Sequence, residues 1–362
     1  MKPIVLALAA TLLAVLSGAA RAEPYLAVRQ GLKCAACHQN PTGGGMRNAL
    51  GNSWAQNVLA EHRLDLPGVG PWMGSIGRYL SLGADLRYDE SYTDLSHQRS
   101  IKESGISEGR AYVQLNLLPD RLQVYLDERL APGNNLRLES YAKLWLWDRH
   151  VYVKAGQMFL PYGLRLQDDG AFIRQVSGIN FTTPDNGAEV GIDVGPWAAQ
   201  LAVSRGTAGG PEIDSGKQWS LRVERVQPLW RLGASLNYND SIAGKRRMQN
   251  LFAGLRTGPV SWLAEADYIV DDGLGPAGRR QWAGLVEANW NFRAGHNLKL
   301  TAESFDPDVK VNQDERTRLS LVWEYTPLPY VQLRVGGRLY QGIPQNDLQN
   351  RRLAFAELHL FF

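Results

Sequence analysis

The sequence predicts an all-β protein, a sixteen-stranded antiparallel transmembrane β-barrel that follows a short N-terminal helical module. Segments of about ten residues with alternating apolar and polar side chains recur from Ile76 to the end of the chain, a pattern typical of outer-membrane strands. The links between these segments alternate between short and long. No apolar run in this region reaches the ~20 residues that a membrane-spanning helix needs.

Alternation is clear in the second half of the chain. On one segment, Val331, Leu333 and Val335 share a face. Gln332 and Arg334 lie on the other face, because successive strand residues point to opposite sides of a sheet. Such a strand has one face suited to lipid and one suited to a polar lumen. Charges of both signs have the lumen parity: Arg222, Glu224, Glu265, Glu287, Glu303, Arg334 and Arg338.

The spacing of these segments predicts sixteen strands, an even number as in single-chain bacterial barrels. Short links fall at 119–120, 195–196, 227–229, 258–259 and 326–329, and longer links at 89–107, 160–186, 206–216, 271–279 and 306–315. Short periplasmic turns and longer outer loops are typical of this class. The predicted strands are 77–90, 108–118, 121–131, 136–147, 150–159, 186–195, 197–205, 217–227, 230–240, 247–257, 259–271, 279–291, 297–306, 315–326, 330–341 and 350–362.

Aromatic residues support the same fold. Phe362 ends a strand of alternating pattern, which resembles the C-terminal signal of outer-membrane barrel proteins. Aromatic side chains near strand ends predict interfacial girdles. Those near the short turns are Trp197, Trp230, Trp290, Tyr325 and Tyr330, and those near the longer loops are Tyr88, Tyr238, Tyr268 and Tyr340.

The chain begins with a predicted export signal. Lys2 supplies a positive charge, residues 4–16 form an apolar stretch, and Ala20-Arg21-Ala22 fits the A-x-A cleavage rule. Removal of residues 1–22 takes away two positive charges and lowers the formal net charge from +3 to +1. This charge gives no reason to expect a nucleic-acid partner.

The only two cysteines of the chain lie in the sequence Cys34-Ala35-Ala36-Cys37-His38. C-x-x-C-H is the attachment sequence of a c-type haem, in which both thiols bond to the porphyrin and the imidazole binds the iron. A zinc site would need a second pair of ligands, and a thioredoxin-like motif would need a βαβ context. We predict one covalent c-type haem, with Cys34 and Cys37 as attachment sites and His38 as proximal iron ligand.

The second axial ligand has several candidates. Met46 follows three glycines whose freedom would let the chain fold over the ring. His62 stands at the end of a predicted helix over 47–62, with Ala49, Leu50, Trp54 and Val58 on one face. Met73 is a third nearby candidate. Met46 and His62 are the two preferred alternatives.

Three units follow: a signal peptide at 1–22, a monohaem cytochrome module at 23–75 and an outer-membrane barrel at 76–362. An even strand number with a periplasmic C-terminus places the module at the periplasmic mouth or inside the lumen. The link 160–186 resembles in position the inward-folding loop of porins, with a surface loop as the equal alternative. Its charges are Arg165, Asp168, Asp169 and Arg174. Carboxylates on the predicted outer loops suit hard cations, but solvated loops or lipopolysaccharide-bound divalent cations are the preferred interpretation of these residues. They are Asp271, Asp272, Asp306, Asp308, Asp314 and Glu315.

The stretch around the haem motif carries a family resemblance. Residues 27–38, Ala-Val-Arg-Gln-Gly-Leu-Lys-Cys-Ala-Ala-Cys-His, are followed by Met46-Arg47-Asn48-Ala49-Leu50-Gly51. This pattern before a predicted barrel resembles the fused monohaem cytochrome–porins of outer membranes, a family that includes iron-oxidising cytochromes. The chain differs from the iron-oxidising pattern at Leu50, Asn52 and the triplet Gly43–Gly45. The resemblance implies electron transfer and, if the chain is an enzyme, an extracellular metal (ferrous iron) oxidoreductase.

Three functions are compatible with a haem joined to a barrel. The preferred one is electron transfer between extracellular and periplasmic redox partners. The alternatives are a solute porin with a haem-bearing plug, and a barrel scaffold that docks other multihaem cytochromes. The expected partners are a periplasmic cytochrome or other redox protein, outer-membrane lipid and extracellular metal ions.

Overall fold

A computed structural model describes residues 23–362 except 65–69, 96–97, 180–182, 209, 212–213, 243 and 276. The predicted signal peptide lies outside the described residues. The barrel strands are β1 (Leu80–Leu95), β2 (Ile101–Leu118), β3 (Leu122–Ala131), β4 (Leu136–Leu146), β5 (Val151–Met158), β6 (Asp185–Val194), β7 (Trp197–Ser204), β8 (Gln218–Val226), β9 (Trp230–Ser241), β10 (Gly244–Thr257), β11 (Val260–Asp271), β12 (Arg279–Arg293), β13 (His296–Asp306), β14 (Arg316–Leu328), β15 (Val331–Gln341) and β16 (Arg351–Phe361).

The sheet is a closed cylinder. Each strand pairs antiparallel with its neighbours in the chain, and β16 pairs with β1. At this closure Leu360 lies opposite Leu86, and Arg351 lies opposite Leu95. A two-residue strand, Ser75–Ile76, pairs with the beginning of β1. The predicted fold class, a sixteen-stranded antiparallel barrel, is therefore confirmed.

Apolar side chains point outward and polar side chains point into the barrel. Leu236, Leu251 and Leu321 are more than half exposed on the outer face, where lipid contacts such a barrel. The predicted lumen charges lie inside, and six of the seven are buried: Arg222, Glu224, Glu265, Glu287, Glu303 and Arg334. A soluble protein has the opposite arrangement, so this burial pattern indicates a transmembrane barrel.

The first hairpin is longer than predicted. The predicted link 89–107 is wrong, because β1 continues to Leu95 and β2 begins at Ile101. Ladder pairs such as Ser91 with Glu103 continue through this region although both faces carry polar side chains. β2 has 18 residues, and at ~3.4 Å per residue it extends well beyond an apolar band of ~25 Å. Beyond the band both faces meet water, so the alternation disappears while the backbone pairing continues.

The predicted aromatic girdle at the short-turn end is present in part. Trp197, Trp230 and Trp290 are exposed there. Tyr325 extends this group and stacks on the ring of His296, with centroids 4.3 Å apart. Tyr330 was predicted in the same girdle but packs inside the barrel, because the tight turn before β15 (φ 72°) brings its ring against the inward-facing aromatic side chains at the end of β16.

Five short helical segments accompany the barrel among the described residues. They are α1 (Pro24–Gln30), a 3₁₀ turn (Cys34–Ala36), α2 (Ala49–Trp54) with a π-helical extension (Ala55–Leu59), α3 (Phe172–Ser177) and a second 3₁₀ turn (Asp347–Gln349). Within the described part of the chain, no helix is long and apolar enough to cross a membrane. The helix predicted over 47–62 is thus shorter, at 49–59. Its predicted apolar face is not the buried one, since Gly51, Asn52, Ala55 and Gln56 are buried instead.

Residues 23–62, called the plug below, lie inside the barrel. Gly31 packs against Pro228, and the Glu61 N–H donates to the Thr326 carbonyl at 2.9 Å, so the plug sits at the short-turn end. Its polar contacts reach around the wall: Met46 to Tyr125 on β3, Asn40 to Glu139 on β4, Lys33 to Asp193 on β6 and Tyr25 to Glu324 on β14. The plug therefore contacts strands far apart in the sequence and fills one end of the lumen.

The link between β5 and β6, called the inward loop below, also folds into the barrel. The Leu164 N–H donates to Glu265 at 2.7 Å, and the Phe172 N–H donates to Glu303 at 2.9 Å. Asp168 forms ion pairs with Arg318 (2.8 Å) and Arg338 (3.1 Å) on the opposite wall. The predicted inward-folding position of this loop is therefore observed.

Candidate cofactor site

The haem motif forms a tight turn within the plug. The Cys37 and His38 N–H groups both donate to the Cys34 carbonyl at 3.1 Å. Asn48 Nδ2 donates to the carbonyls of Ala35 (3.2 Å) and Ala36 (3.0 Å). The backbone of the short turn does not itself supply donors to these two carbonyls. Both cysteines are free thiols and partly exposed. The turn therefore holds the two sulfurs and the imidazole on one compact segment.

A glycine loop folds back over this turn. The Gln39 N–H donates to the Met46 carbonyl at 3.0 Å, and His38 forms an isolated antiparallel bridge with Arg47. Gly43 has a φ of 91°, which favours glycine. A Cβ at Gly43 would lie 3.4 Å from Cys34 Sγ. The absence of a side chain at this position keeps the space beside the Cys34 sulfur open.

His38 is buried, with an exposed fraction of 4%. Neither ring nitrogen makes a hydrogen bond of acceptable geometry with the described residues, although the backbone of Gly44 and Gly45 lies nearby. Burial and the neighbouring Arg47 lower the pKa of His38 to about 3. An imidazole must be neutral to bind a metal. A buried ring nitrogen that has neither a hydrogen-bond partner nor a metal destabilises the fold.

An apolar cleft opens beside the two cysteines and His38. Leu26, Leu50 and Trp54 contribute to its walls, and Leu164 of the inward loop closes one side. Leu50 is 52% exposed although it lies in the lumen, so part of the predicted apolar face of α2 is turned to this cleft. The cleft holds about 70 Å³, less than the roughly 300–1,000 Å³ of ordinary ligand pockets.

The residues of this cleft fit a covalent haem chemically. They supply two free thiols, a neutral buried imidazole and apolar walls, and Cys34, Cys37 and His38 all line the same space. The cleft must widen to admit a porphyrin. The glycine loop forms one wall, and its three glycines permit backbone rearrangement that other residues resist.

The structure brings neither preferred distal ligand to this cleft. The Met46 side chain is buried in a cluster against the barrel wall that includes Tyr112, Tyr125 and Phe361. His62 is exposed at the barrel rim, 3.8 Å from Glu61. The distal ligand therefore stays a prediction, with Met46 one residue from the cleft wall and His62 outside it.

Met73, the third candidate, lies at a different cavity. This cavity of about 760 Å³ opens at the short-turn end and is lined by both Met73 and His38. Ala35 and Ala36 also line it, so the haem motif is reached from this opening. The site thus has an apolar cleft on one side and a wide polar opening on the other.

Several cleft residues were not identified from the sequence. In the sequence, Arg47 stands out only within the stretch that carries the family resemblance, and Arg165 only as a charge of the predicted inward loop. Leu164 gave no sequence signal beyond its place in the predicted inward loop. Arg222 was assigned to the lumen face by parity, but its position beside the motif depends on how the plug docks. Each of these four lines the cleft.

No cluster of three or more His, Cys, Asp or Glu side chains among the described residues is arranged to hold a bare metal ion. On the long-loop side, Asp271 pairs with Arg246 (3.1 Å) and Asp272 with Arg247 (3.4 Å). The predicted affinity of the outer acidic residues for cations therefore stays an expectation. This absence does not bear on the predicted haem site, because a haem iron needs only one protein nitrogen on its proximal side.

The fold is that of a porin-like outer-membrane barrel, with a lumen narrowed by the plug and the inward loop. The structure is similar to Pseudomonas putida OprB, with a TM-score of 0.61, 11% sequence identity and coverage of 79% of this chain and 94% of that chain. It is also similar to an anion-selective porin from Comamonas acidovorans (TM-score 0.60, 12% identity, 78% and 99% coverage). The outer-membrane protein OmpT of Vibrio cholerae matches likewise (TM-score 0.60, 9% identity, 80% and 99% coverage).

At these identities the likeness concerns the fold alone. No protein-family model matches the chain, and no curated protein matches it. The function must therefore be argued from the site.

Proposed function

We propose that this protein transfers electrons across the outer membrane by means of one c-type haem bound at Cys34, Cys37 and His38. The observation that carries the proposal is the unpartnered, buried His38 imidazole beside two free thiols at an apolar cleft within the barrel. A haem bound there supplies the one-electron iron couple. The protein provides attachment, a neutral ligand and exclusion of water on the cleft side.

The proposed orientation places the short turns and the plug on the periplasmic side, as in bacterial barrels generally. The cavity of about 760 Å³ then faces the periplasm, with Ala35 and Ala36 at its wall. A periplasmic cytochrome or other redox protein would approach the site through this opening. On the opposite face, an extracellular donor such as ferrous iron would exchange electrons through the lumen.

A solute porin with a haem-bearing plug is the second candidate. It is favoured by the porin-like fold and by the inward loop, whose Asp168 pairs with Arg318 and Arg338 across the lumen. Opposed charges on a constriction set the selectivity of a pore. Electron transfer is the stronger proposal because a solute channel alone gives no role to the haem motif.

Purified protein in liposomes with a sealed redox dye tests the proposal. Chelated ferrous iron, which does not cross the bilayer, is added outside while haem and dye absorbance are followed. Electron transfer predicts reduction of the haem and then of the trapped dye. The control is the variant C34S/C37S, which cannot form thioether bonds and should leave the dye oxidised.

The outcomes separate the candidates. A reducible c-type haem with no reduction of the dye would contradict a stand-alone conduit. Ion conductance that changes with the haem oxidation state would then support the porin. Co-purification with further cytochromes, and dye reduction only in their presence, would support a docking scaffold.

A further inference from the structure

Arg47 is a buried cation that forms no ion pair with the described residues, although the charge of Asp85 acts on it from a greater distance. Its exposed fraction is 5%, and Nη1 has no hydrogen-bond partner. The guanidinium stacks on the ring of Phe361, 4.6 Å from its centroid. No described carboxylate lies within ion-pair distance of it. Burying a charge in this way is costly unless a partner of opposite charge completes the site.

Other buried arginines of the lumen do have carboxylate partners. Arg334 pairs with Glu357 at 3.0 Å, and Arg318 pairs with Glu303. This comparison shows that the barrel ordinarily compensates a buried guanidinium. Arg47 departs from that rule at the place where it lines the cleft with His38.

Arg165 of the inward loop is a second cation of the cleft without a carboxylate in ion-pair contact. Its Nη2 donates only to backbone carbonyls, those of Phe159 (3.0 Å) and Leu160 (3.3 Å). Peptide carbonyls satisfy its donors but carry no formal charge to neutralise it.

The other charges that line the cleft do not supply an excess of negative charge. Lys33 pairs with Asp193, and the single acidic lining residue, Glu23, pairs with Lys299 at 2.8 Å. Arg222 shares one carboxylate, Glu224, with another arginine, Arg231. The cleft among the described residues is therefore apolar with an excess of positive charge, which suits an apolar ligand that carries carboxylates.

We infer that Arg47 and Arg165 bind the propionate carboxylates of the haem attached at Cys34 and Cys37. The inference rests on the proposed function, since it assigns residues to the same cofactor. Haem carries two such carboxylates on an apolar ring, and arginine is the side chain best suited to a carboxylate because its planar fork makes paired hydrogen bonds. Arg47 thereby gains a carboxylate in direct contact, in addition to the more distant charge of Asp85.

This contact has an electrochemical consequence. Ferrous haem has one positive charge fewer than ferric haem, so a nearby guanidinium stabilises the reduced form. Arg47 should therefore raise the midpoint potential. Replacing it with a neutral residue should shift the reduction equilibrium toward the ferric form.

The test uses the full-length holoprotein and the variants R47Q, R47K, R165Q and R29Q. Arg29 is the matched control, because it carries a positive charge on the plug but does not line the cleft. The readouts are haem content, the midpoint potential and the propionate bending modes in resonance Raman spectra. Heat-dependent electrophoretic mobility shows that each barrel is folded.

We expect R47Q to lower the reduction equilibrium constant about tenfold, which equals about 59 mV for one electron, with altered propionate modes. R165Q should change the midpoint potential and the propionate modes in the same direction as R47Q. R47K should restore the potential, and R29Q should leave the potential and the propionate modes at the wild-type values. Unchanged potential and propionate modes in R47Q and R165Q would overturn the inference and leave the proposed function intact. A wild-type protein with no covalent haem would overturn both.

Discussion

Lys299 Nζ lies 2.8 Å from Glu23 Oε1 and joins the beginning of the plug to the barrel wall. The same ammonium is 2.9 Å from Glu324 Oε1 on β14. All three side chains are buried. One cation thus compensates two carboxylates, one from the plug and one from the wall. Among the described residues, its loss would leave Glu23 without an ion-pair partner, whereas Glu324 would keep Arg334 at 3.5 Å.

Substitution K299M should destabilise the docked plug. Removing one partner of a buried ion pair costs about 3–5 kcal/mol, because the remaining charge stays buried and uncompensated. The measurement is protease protection of residues 23–62 in folded protein across a urea series. K310M, in an exposed outer loop, is the control and should keep wild-type protection. Equal protection in both variants would show that Lys299 does not hold the plug.

Substitution of either cysteine should reduce covalent haem. C34S and C37S each remove one thioether bond, and the double variant removes both, so haem-stained denaturing gels should show a weakened band and then none. Because neither thiol forms a disulfide, the barrel should still fold. Full haem staining of the double variant would contradict attachment at this motif.

Substitution G43V should impair haem attachment by crowding the Cys34 sulfur. A non-glycine residue at positive φ costs about 1–2 kcal/mol by itself, so a control with the same strain is needed. Gly275 has a φ of 74° and open space around its Cβ position. We expect G43V to lower haem content several-fold and G275V to leave it unchanged. An equal effect of both would assign the result to strain and not to the contact with Cys34.

Substitution D168N should loosen the inward loop and raise ion conductance in planar bilayers. Burial raises the pKa of Asp168, but Arg318 and Arg338 outweigh burial and hold this pKa below its usual range. The ion pairs therefore stabilise the loop above the ordinary aspartate pKa of ~3.9, and that stabilisation is lost only as pH falls through the lower folded value. The increase in D168N should be equal at pH 5 and pH 8.

D272N provides the control for the loop experiment. Asp272 forms an exposed pair with Arg247 at 3.4 Å outside the lumen, and exposed pairs contribute little. Its conductance should match that of the wild type. A conductance in D168N no greater than that in D272N would show that these ion pairs do not position the loop.

The strands were predictable where one face meets lipid. Leu236 and Leu333 carry that signal, since each is exposed on the outer face and has a polar neighbour on either side in the sequence. The signal fails in the first hairpin, where Glu103 and Ser91 pair in a wetted extension. Register there depends on the backbone ladder and not on an apolar face, so no apolar–polar alternation in the sequence marks the extended strands.

The docking of the plug was not predictable for a different reason. Tyr25 donates to Glu324 across a sequence separation of 299 residues, and neither residue type identifies the other. The apolar face of α2 was recognised from the sequence, but the sequence did not show that Leu50 of this face turns to the cleft. The two thiols and His38 could be singled out as a predicted site because they are close together in the sequence, and all three line the same cleft. Arg47 and Arg165, which are 118 positions apart by their numbers, meet only in the folded barrel.

The pairing of β16 with β1 closes the barrel only when the last strand is in place, and this has a consequence for assembly. The plug precedes every strand in the chain, yet its partners extend from Tyr125 on β3 to Glu324 on β14. Contacts of such long sequence separation form late, because the intervening chain must first be ordered. The plug, which is synthesised before every strand, is therefore among the last segments to reach its final place. Any chemical modification of its two thiols has the whole interval of export and barrel closure in which to occur.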